Sequence, residues 1–290
     1  MNDLFDTDFF DQLGSLKMSL SMRLTQGMSG IRKSTAKGTS VEFSDFREYM
    51  LGDDIRRIDW NAYGRTDKLY IKQFMEEKEG IFHIFLDTSA SMQFGNPPKS
   101  RMELQLAAAL SYVILGNLDR VYVSELKENT QTRGKGMTGA PAFPRILRTL
   151  ERIEFGGGTS LNQSITARPV PIGGASIIIS DFWDTDGIEE AIKYLAYRKQ
   201  TIVLVQILAP EELNINYEGT VNLHDMETGE SLKVTMSNAA IRAYHTAREA
   251  HQKNLSRLAN RYGATYITIS SSEDLCAALL HGLSGVVTSK

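Results

Sequence analysis

The stretch IFHIFLDTSASM, residues 81–92, carries the clearest signal of the fold. Its apolar run from Ile81 to Leu86 leads into oxygen-bearing side chains at every second position, Asp87, Ser89 and Ser91. An apolar run without alternation is typical of a strand that is covered on both faces in a parallel sheet. Ligands of such sheets bind beyond the carboxyl ends of the strands, where the strand order reverses. The stretch therefore predicts a buried strand that ends in a polar binding site.

Further apolar segments follow, and longer amphipathic stretches separate them. The candidate strands are Ile81–Leu86, Val121–Leu126, Ala175–Ser180, Thr201–Leu208 and Ala264–Ile269, and the candidate helices are residues 102–117, 144–153, 187–199 and 273–283. Strands that alternate with helices favour parallel pairing, with helices on both faces of the sheet. The sequence therefore predicts an α/β fold with a doubly wound, mostly parallel sheet.

Three regions depart from this alternation. Residues 1–30 carry leucine and phenylalanine at steps of three and four, which predicts an N-terminal helical segment. Residues 31–80 are dense in charge, and we expect this upstream module to pack on the core. Between about residues 209 and 263, the turn sequence ETGE predicts a hairpin. A helix is expected to follow the hairpin and to end near Gly263. The core domain would then span 81–290 and carry this insertion.

Composition excludes several classes of protein. The 290 residues have a formal net charge of −3, which gives no electrostatic case for binding nucleic acid or an anionic membrane. A single cysteine, Cys276, rules out an internal disulfide and zinc sites built on several thiolates. No apolar run reaches the roughly 18 residues that a membrane span needs, and the acidic amino terminus is unlike a secretory signal. We therefore expect a cytoplasmic protein without an integral membrane segment.

Two later segments place more oxygen atoms at strand ends. Thr159 follows three glycines, and Asp181 follows the apolar strand that ends at Ser180. One interpretation of the first polar run is a simple helix cap, because Asp and Ser are good N-caps. The other is a hard divalent cation, since carboxylate and hydroxyl oxygens suit Mg2+, which keeps waters and open positions. On this interpretation Mg2+, or Mn2+ or Ca2+, binds to Asp87, Ser89, Ser91, Thr159 and Asp181.

These motifs resemble a known site. The pattern D-x-S-x-S, then a threonine after a glycine loop, then an aspartate at a strand end is similar to the metal-ion-dependent adhesion site of von Willebrand factor A domains. Upstream, REYMLGDDIRRIDW from Arg47 to Trp60 resembles the signature of the domain of unknown function 58 family. That resemblance implies a von Willebrand A-like core and association with MoxR-type AAA+ ATPases in bacteria.

The signature segment carries charged residues of both signs. The candidates for partner docking are Arg47, Asp53, Asp54, Arg56, Arg57 and Arg65. For most of these residues we favour a structural ion-pair network that ties the segment to the sheet, and docking is the alternative for those that remain exposed.

Two classes of function remain open. The first is a non-enzymatic adaptor whose bound cation coordinates an acidic side chain of a client protein. A MoxR-type AAA+ ATPase would remodel that client. The second is a metal-dependent hydrolase or phosphotransferase. Hydrolysis needs an activated water or nucleophile together with proton-transfer groups, and no histidine or lysine has an obvious catalytic spacing near the motif. The string of a nucleotide-binding P-loop is also absent from the sequence. We therefore expect the adaptor.

Overall fold

A computed structural model describes residues 4–14, 42–75, 79–127, 130–159, 161–166, 170–184, 187–215, 219–224, 226 and 231–279. The chain divides into two compact units, one formed by Met1–Gly27 with Gly80–Lys290 and the other by Met28–Glu79. The packing of the upstream module on the core stays a prediction. So does the division of the chain into residues 1–30, 31–80 and 81–290. In the predicted N-terminal helical segment, residues 7–14 are helical, and residues 15–30 lie outside the described part.

The smaller unit is built on an antiparallel strand pair. Strand β1 (Glu42–Glu48) pairs with β2 (Tyr70–Met75), and the short helix α1 (Trp60–Thr66) lies between them in sequence. Helix α1 begins at Asp59, whose Oδ1 accepts hydrogen bonds from the backbone N–H groups of Asn61 and Ala62. Such side-chain caps satisfy N–H groups that have no partner inside the helix. The charged segment therefore folds into an antiparallel strand pair, with a short helix capped by Asp59 between the two strands.

The larger unit contains the predicted sheet. Its strands are β3 (Ile81–Asp87), β4 (Arg120–Lys127), β5 (Thr130–Arg133), β6 (Met137–Thr138), β7 (Ala175–Ser180), β8 (Thr201–Leu208) and β11 (Thr265–Ser270). The order is β11-β8-β7-β3-β4-β5, and β6 also pairs with β4. All pairs are parallel except those of β5 and β6 with β4. The predicted mixed α/β class with a mostly parallel sheet is confirmed, and each predicted strand matches within one residue at either end.

Helices cover both faces of this sheet. They are α2 (Lys99–Gly116), α3 (Phe143–Leu150), α4 (Leu161–Thr166), α5 (Ile188–Tyr197), α6 (Pro210–Leu213) and α7 (Asn238–Arg261). One face buries Ile178 and Leu204 against residues of α4, α5 and α7. The other face presents Ile177 and Ile179 to α2 and to the helical residues 275–279. Alternate side chains of the same strand therefore enter two separate apolar layers.

The predicted hairpin of the insertion is present. Strand β9 (Gly219–His224) pairs antiparallel with β10 (Ser231–Met236), whereas the predicted turn residues 227–230 lie outside the described ranges. The following helix α7 begins after Ser237, whose hydroxyl accepts a hydrogen bond from the backbone N–H of Ala240. Among the described residues, none of the helices combines the length and the apolar character needed to cross a membrane.

The topology determines where a ligand site can lie. From β3 the chain runs first to β4 on one side and later to β7 on the other. The strand order therefore reverses between β3 and β7, and this is the place where open parallel sheets bind ligands. Asp87 ends β3, and Asp181 directly follows β7.

Candidate metal centre

Asp87 is the centre of the polar cluster at this reversal. Its side chain is buried, and both of its carboxylate oxygens accept hydrogen bonds. The Oδ1 atom lies 2.7 Å from the Thr159 hydroxyl and accepts the backbone N–H of Ser89 at 3.0 Å. The Oδ2 atom accepts the Ser180 hydroxyl at 2.5 Å. Residues from three separate segments therefore converge on one carboxylate.

The two serines of the first motif lie side by side. The hydroxyls of Ser89 and Ser91 are 3.0 Å apart at the start of a 3-10 turn, Ala90–Gln93. The glycine loop is held against this turn by backbone bonds, in which Ala90 donates to Gly157 and Gly156 donates to Thr88. Gly157 has φ +72°, a conformation that glycine adopts without steric cost. The loop backbone is thereby fixed so that Thr159 reaches Asp87.

Asp181 is held by a buried cation. The Nζ atom of Lys99 lies 2.6 Å from Asp181 Oδ2 and 3.0 Å from Glu212 Oε1, and the lysine side chain is 1% exposed. Burial alone would lower the pKa of Lys99, but the charges of Asp181 and Glu212 outweigh it and raise this pKa above its ordinary value. Lys99 therefore stays an ammonium ion and neutralises part of the cluster.

Glu103 adds a further buried carboxyl group. Its Oε1 atom accepts the backbone N–H of Asp87 at 2.8 Å. Its Oε2 atom is buried and has no hydrogen-bond partner among the residues that the structure describes. Burial and then the charge of Asp87 raise the pKa of Glu103 well above its ordinary value. Burial, followed by the charge of Asp181, also raises the pKa of Asp87.

The cluster has more acidic than basic groups. Asp87, Glu103 and Asp181 are close enough for their charges to interact, and Glu212 is linked to Asp181 through Lys99. Within the described ranges Lys99 is the only basic side chain that is ion-paired with any of these four acids. No group of three or more His, Cys, Asp or Glu in the described part could hold a metal ion alone. A cation here would thus depend on the hydroxyls as well as the carboxylates. The oxygen donors and the excess of carboxylates fit a hard divalent ion.

The structure places the five predicted ligands in three groups. Asp87 and Thr159 are in direct contact, and Ser89 and Ser91 contact each other. Asp181 is close enough for its charge to act on Asp87, but one of its oxygens is bound to Lys99. The assignment of these five residues as metal ligands stays a prediction.

Aromatic side chains form a rim beside Asp181. Trp183 is 37% exposed, and its indole N–H donates to Glu212 Oε1 at 3.0 Å. The ring of Trp183 stacks on His251 with centroids 5.2 Å apart, and His251 Nε2 lies 2.8 Å from the carbonyl oxygen of Phe182. Tyr244 also lies near Trp183, with ring centroids 6.5 Å apart. The insertion helix α7 therefore supplies one wall of the rim.

Sequence reasoning missed four members of the cluster. They are Lys99, Glu103, Ser180 and Glu212. Ser180 stood at the end of a predicted strand, so its position carried a usable signal. Lys99 and Glu103 are spaced by four residues on the buried side of α2, and charges at that spacing more often form an exposed pair.

The charged segment shows local roles for its predicted docking residues. Arg47 and Asp53 form an ion pair in which Nη2 of the arginine lies 2.8 Å from each of the two carboxylate oxygens. Asp54 caps the 3-10 turn Ile55–Arg57 by accepting the backbone N–H of Arg56. Arg65 donates to the carbonyl oxygen of Asn61 within α1. These contacts agree with a structural role inside the smaller unit, and the docking role stays a prediction for all six residues, Arg57 included.

Comparison with known proteins identifies the family. Rv1480, an uncharacterized protein of Mycobacterium tuberculosis, is 25% identical over 96% of this chain and 90% of its own length. The conserved hypothetical protein BatB from Bacteroides thetaiotaomicron is 18% identical over 72% of this chain and 100% of that chain, with a TM-score of 0.43. The VWA domain of SpRpn10 is 9% identical over 70% of this chain and 94% of that domain, with a TM-score of 0.40. The model of the family described as "Protein of unknown function DUF58" matches residues 45–254. Since this match covers more than half of the residues, the chain belongs to the DUF58 family, as the signature segment predicted.

Proposed function

We propose that this DUF58 protein is a non-enzymatic adaptor that binds a divalent cation, Mg2+ or else Mn2+ or Ca2+, at the Asp87 cluster. The ion would be presented to a carboxylate of a partner protein. The observation that carries this proposal is the buried excess of carboxylates at the strand-order reversal, where the hydroxyls of Thr159 and Ser180 both bond Asp87. A bound cation would relieve the repulsion between Asp87, Glu103 and Asp181.

The donor set supports a role in binding. Asp87, Ser89, Ser91, Thr159 and Asp181 would hold the ion, which supplies an electrophilic site for an incoming carboxylate. Hydroxyl ligands carry no charge, so the ion keeps more of its positive charge than it would in a cage of carboxylates. The exposed Trp183 beside the cluster would add an aromatic contact for the partner, and aromatic side chains are enriched at interfaces.

The buried lysine does not supply a general base. A lysine acts as a general base only when its pKa falls toward neutrality, whereas the pKa of Lys99 is raised. Its ammonium group is also occupied by two carboxylates. A hydrolase or phosphotransferase would have to use another proton-transfer group, for which the buried carboxyl group of Glu103 is the candidate beside Asp87. Hydrolysis of p-nitrophenyl phosphate that depends on Asp87 and Mg2+ would support the enzymatic alternative instead.

We propose a MoxR-type AAA+ ATPase as the partner that acts with this adaptor on an acidic client protein. The family resemblance of the Arg47–Trp60 signature supports this assignment, and so does the absence of a P-loop string from the sequence. The adaptor would need neither nucleic acid nor a membrane. We propose that it acts in the cytoplasm, together with the ATPase.

Calorimetric titration tests the metal proposal. Wild-type protein should bind Mg2+, and Asp87→Asn, which keeps the size of the side chain, should bind at least tenfold more weakly. Asp54→Asn is the matched control, because Asp54 caps a turn in the smaller unit. Equal affinity in wild type and Asp87→Asn would refute the site.

Co-purification tests the partner. The ATPase should be retained by wild type in Mg2+ and lost in EDTA, and Ser89→Ala or Asp181→Ala should weaken its retention. Since about 1.4 kcal/mol corresponds to one factor of ten, a loss greater than tenfold requires only one good charged contact. Retention that is equally strong in EDTA would remove the metal from the assembly, and no retention in any condition would exclude this class of partner.

A further inference from the structure

A surface cavity of about 440 Å³ lies beside helix α3 in the larger unit. It is lined by Glu125, Arg145, Arg148, Thr149 and Arg152. Three arginines and one glutamate give this lining a formal charge of about +2, in a protein whose overall charge is −3. None of these residues belongs to the candidate metal centre. The cavity is therefore a separate basic feature.

The sequence of α3 separates its apolar and basic residues. Phe143, Ile146 and Leu150 are buried in the core. The arginines recur at steps of three and four, which places Arg145, Arg148 and Arg152 along the opposite, exposed side of the helix and the turn that follows it. Arg145 and Arg148 are three residues apart within α3, where side chains at this spacing are neighbours and like charges repel. A bound anion would offset that repulsion.

The three guanidinium groups are available to a ligand. In the part of the chain that the structure describes, no carboxylate forms an ion pair with any of them, and Glu125 pairs instead with Lys127 at 3.7 Å. Arg148 uses only its Nε to donate to the carbonyl oxygen of Pro144 within the helix. The planar fork of arginine matches a carboxylate, which it binds through two parallel N–H···O bonds.

We propose that this cavity binds an acidic peptide segment that carries at least two carboxylates. Arg145 and Arg152 are separated by seven residues, a rise of about 10 Å along a helix, so the row suits carboxylates several residues apart better than one small anion. Glu125 and Thr149 would accept hydrogen bonds from backbone N–H groups of the peptide. A phosphodiester chain has no N–H donors in its backbone to offer to these two acceptors.

The inference goes beyond the proposed function, because binding at this cavity needs no metal. Its location nevertheless suits the same partner. Helix α3 leads through the glycine loop to Thr159, and the carbonyl oxygen of Leu126, the residue after Glu125, lies 2.8 Å from the Thr159 hydroxyl. Glu125 of β4 is paired with Leu86, the residue before Asp87, so the cavity lies toward the same carboxyl edge of the sheet as the Asp87 cluster.

Fluorescence anisotropy with labelled hexaglutamate tests the proposal, in EDTA and at low ionic strength. Each of Arg145→Gln, Arg148→Gln and Arg152→Gln should weaken binding about three- to tenfold, because each removes one charge-assisted contact. Arg148→Lys should retain only part of the affinity, since lysine keeps the charge and loses the fork. Arg257→Gln is the matched control, because Arg257 is exposed on α7, outside the cavity.

Each outcome decides between alternatives. A triple arginine variant that binds hexaglutamate like wild type would overturn the proposal, and so would an equal loss in Arg257→Gln, which would indicate general charge attraction. Displacement by inorganic phosphate at the concentrations effective for the peptide would overturn the peptide assignment. Asp87→Asn should bind hexaglutamate as wild type does, even if the metal proposal fails. Loss of peptide binding in Asp87→Asn would show that the cavity does not act alone.

Discussion

Replacing Lys99 by methionine tests whether the buried ammonium stabilises the candidate centre. Lys99 is 1% exposed, and its partners Asp181 and Glu212 are 4% and 12% exposed. Methionine keeps an unbranched side chain of similar length but removes the charge. Breaking a buried ion pair by removing one partner costs about 3 to 5 kcal/mol, since it leaves an uncompensated charge in the interior. Here two carboxylates lose the same partner.

This loss is large enough for an ordinary melting experiment. At about 2 °C per kcal/mol for a chain of this size, the melting temperature of Lys99→Met should fall by about 6 to 10 °C in EDTA at pH 7. The matched control is Lys253→Met, because Lys253 pairs with Glu249 at 3.8 Å on an exposed helix face. An exposed pair at this spacing contributes only about 0.3 to 0.5 kcal/mol. Equal melting temperatures in the two variants would refute the stabilising role of Lys99.

The same variant tests the coupling between Lys99 and a metal ion. Without the ammonium, Asp181 and Glu212 become available to another cation, and a ligand that binds only the folded state raises the melting temperature. Mg2+ should therefore stabilise Lys99→Met more than it stabilises wild type. A smaller gain than in wild type would mean that the lysine assists the metal and does not compete with it.

Three further predictions follow from other contacts. Burial and then the charge of Asp87 raise the pKa of Glu103, so the folded state holds this proton more tightly than the unfolded state and loses stability as pH rises through the folded pKa. The melting temperature of Glu103→Gln in EDTA should therefore exceed that of wild type by more at pH 8 than at pH 5, and a constant difference would contradict this sign. A double-mutant cycle on Arg47 and Asp53, measured by urea unfolding, should give a coupling of about 1 kcal/mol, because Nη2 of Arg47 contacts both carboxylate oxygens but the pair is partly exposed, and zero coupling would exclude a structural role. Burial and then the charge of Glu212 raise the pKa of Tyr244 to about 12, so Tyr244→Phe should remove a late-titrating phenol from the absorbance titration at alkaline pH.

The sheet could be predicted because most of its strands are continuous apolar runs. Apolar runs such as Ala175–Ser180 are covered on both faces, so their composition shows burial without any knowledge of neighbours. The antiparallel pair β1 and β2 was not predicted, because the segment from Glu42 to Met75 is rich in charge and lacks a clear alternation. The edge strands β5 and β6 are short and exist only through pairing with β4, a partner that local sequence does not specify.

The candidate site divides in the same way. Asp87, Ser89 and Ser91 stand together after a strand, so local sequence brings them into view. Lys99 could not be recognised from local sequence, because its partners Asp181 and Glu212 lie 82 and 113 residues further along the chain. A lysine before an amphipathic stretch is normally solvated, and we expected the helix to begin only at residue 102. The structure begins it at Lys99, and this earlier start carries the ammonium into the interior.

This difference affects the chemistry that the motif can perform. The five predicted ligands contain two carboxylates and no basic side chain, and this composition is the basis on which we predict a divalent ion. The buried contacts add Glu103 and Glu212 on the acidic side and Lys99 on the basic side, so the protein already neutralises the aspartate that follows β7. Lys99 forms no ion pair with Asp87 at the end of β3 or with Glu103 of α2, and the pKa of each of these acids is raised by burial and by a neighbouring carboxylate. A metal ion would therefore act mainly on the β3 side of the strand reversal, with Asp181 contributing through its charge unless Lys99 releases it.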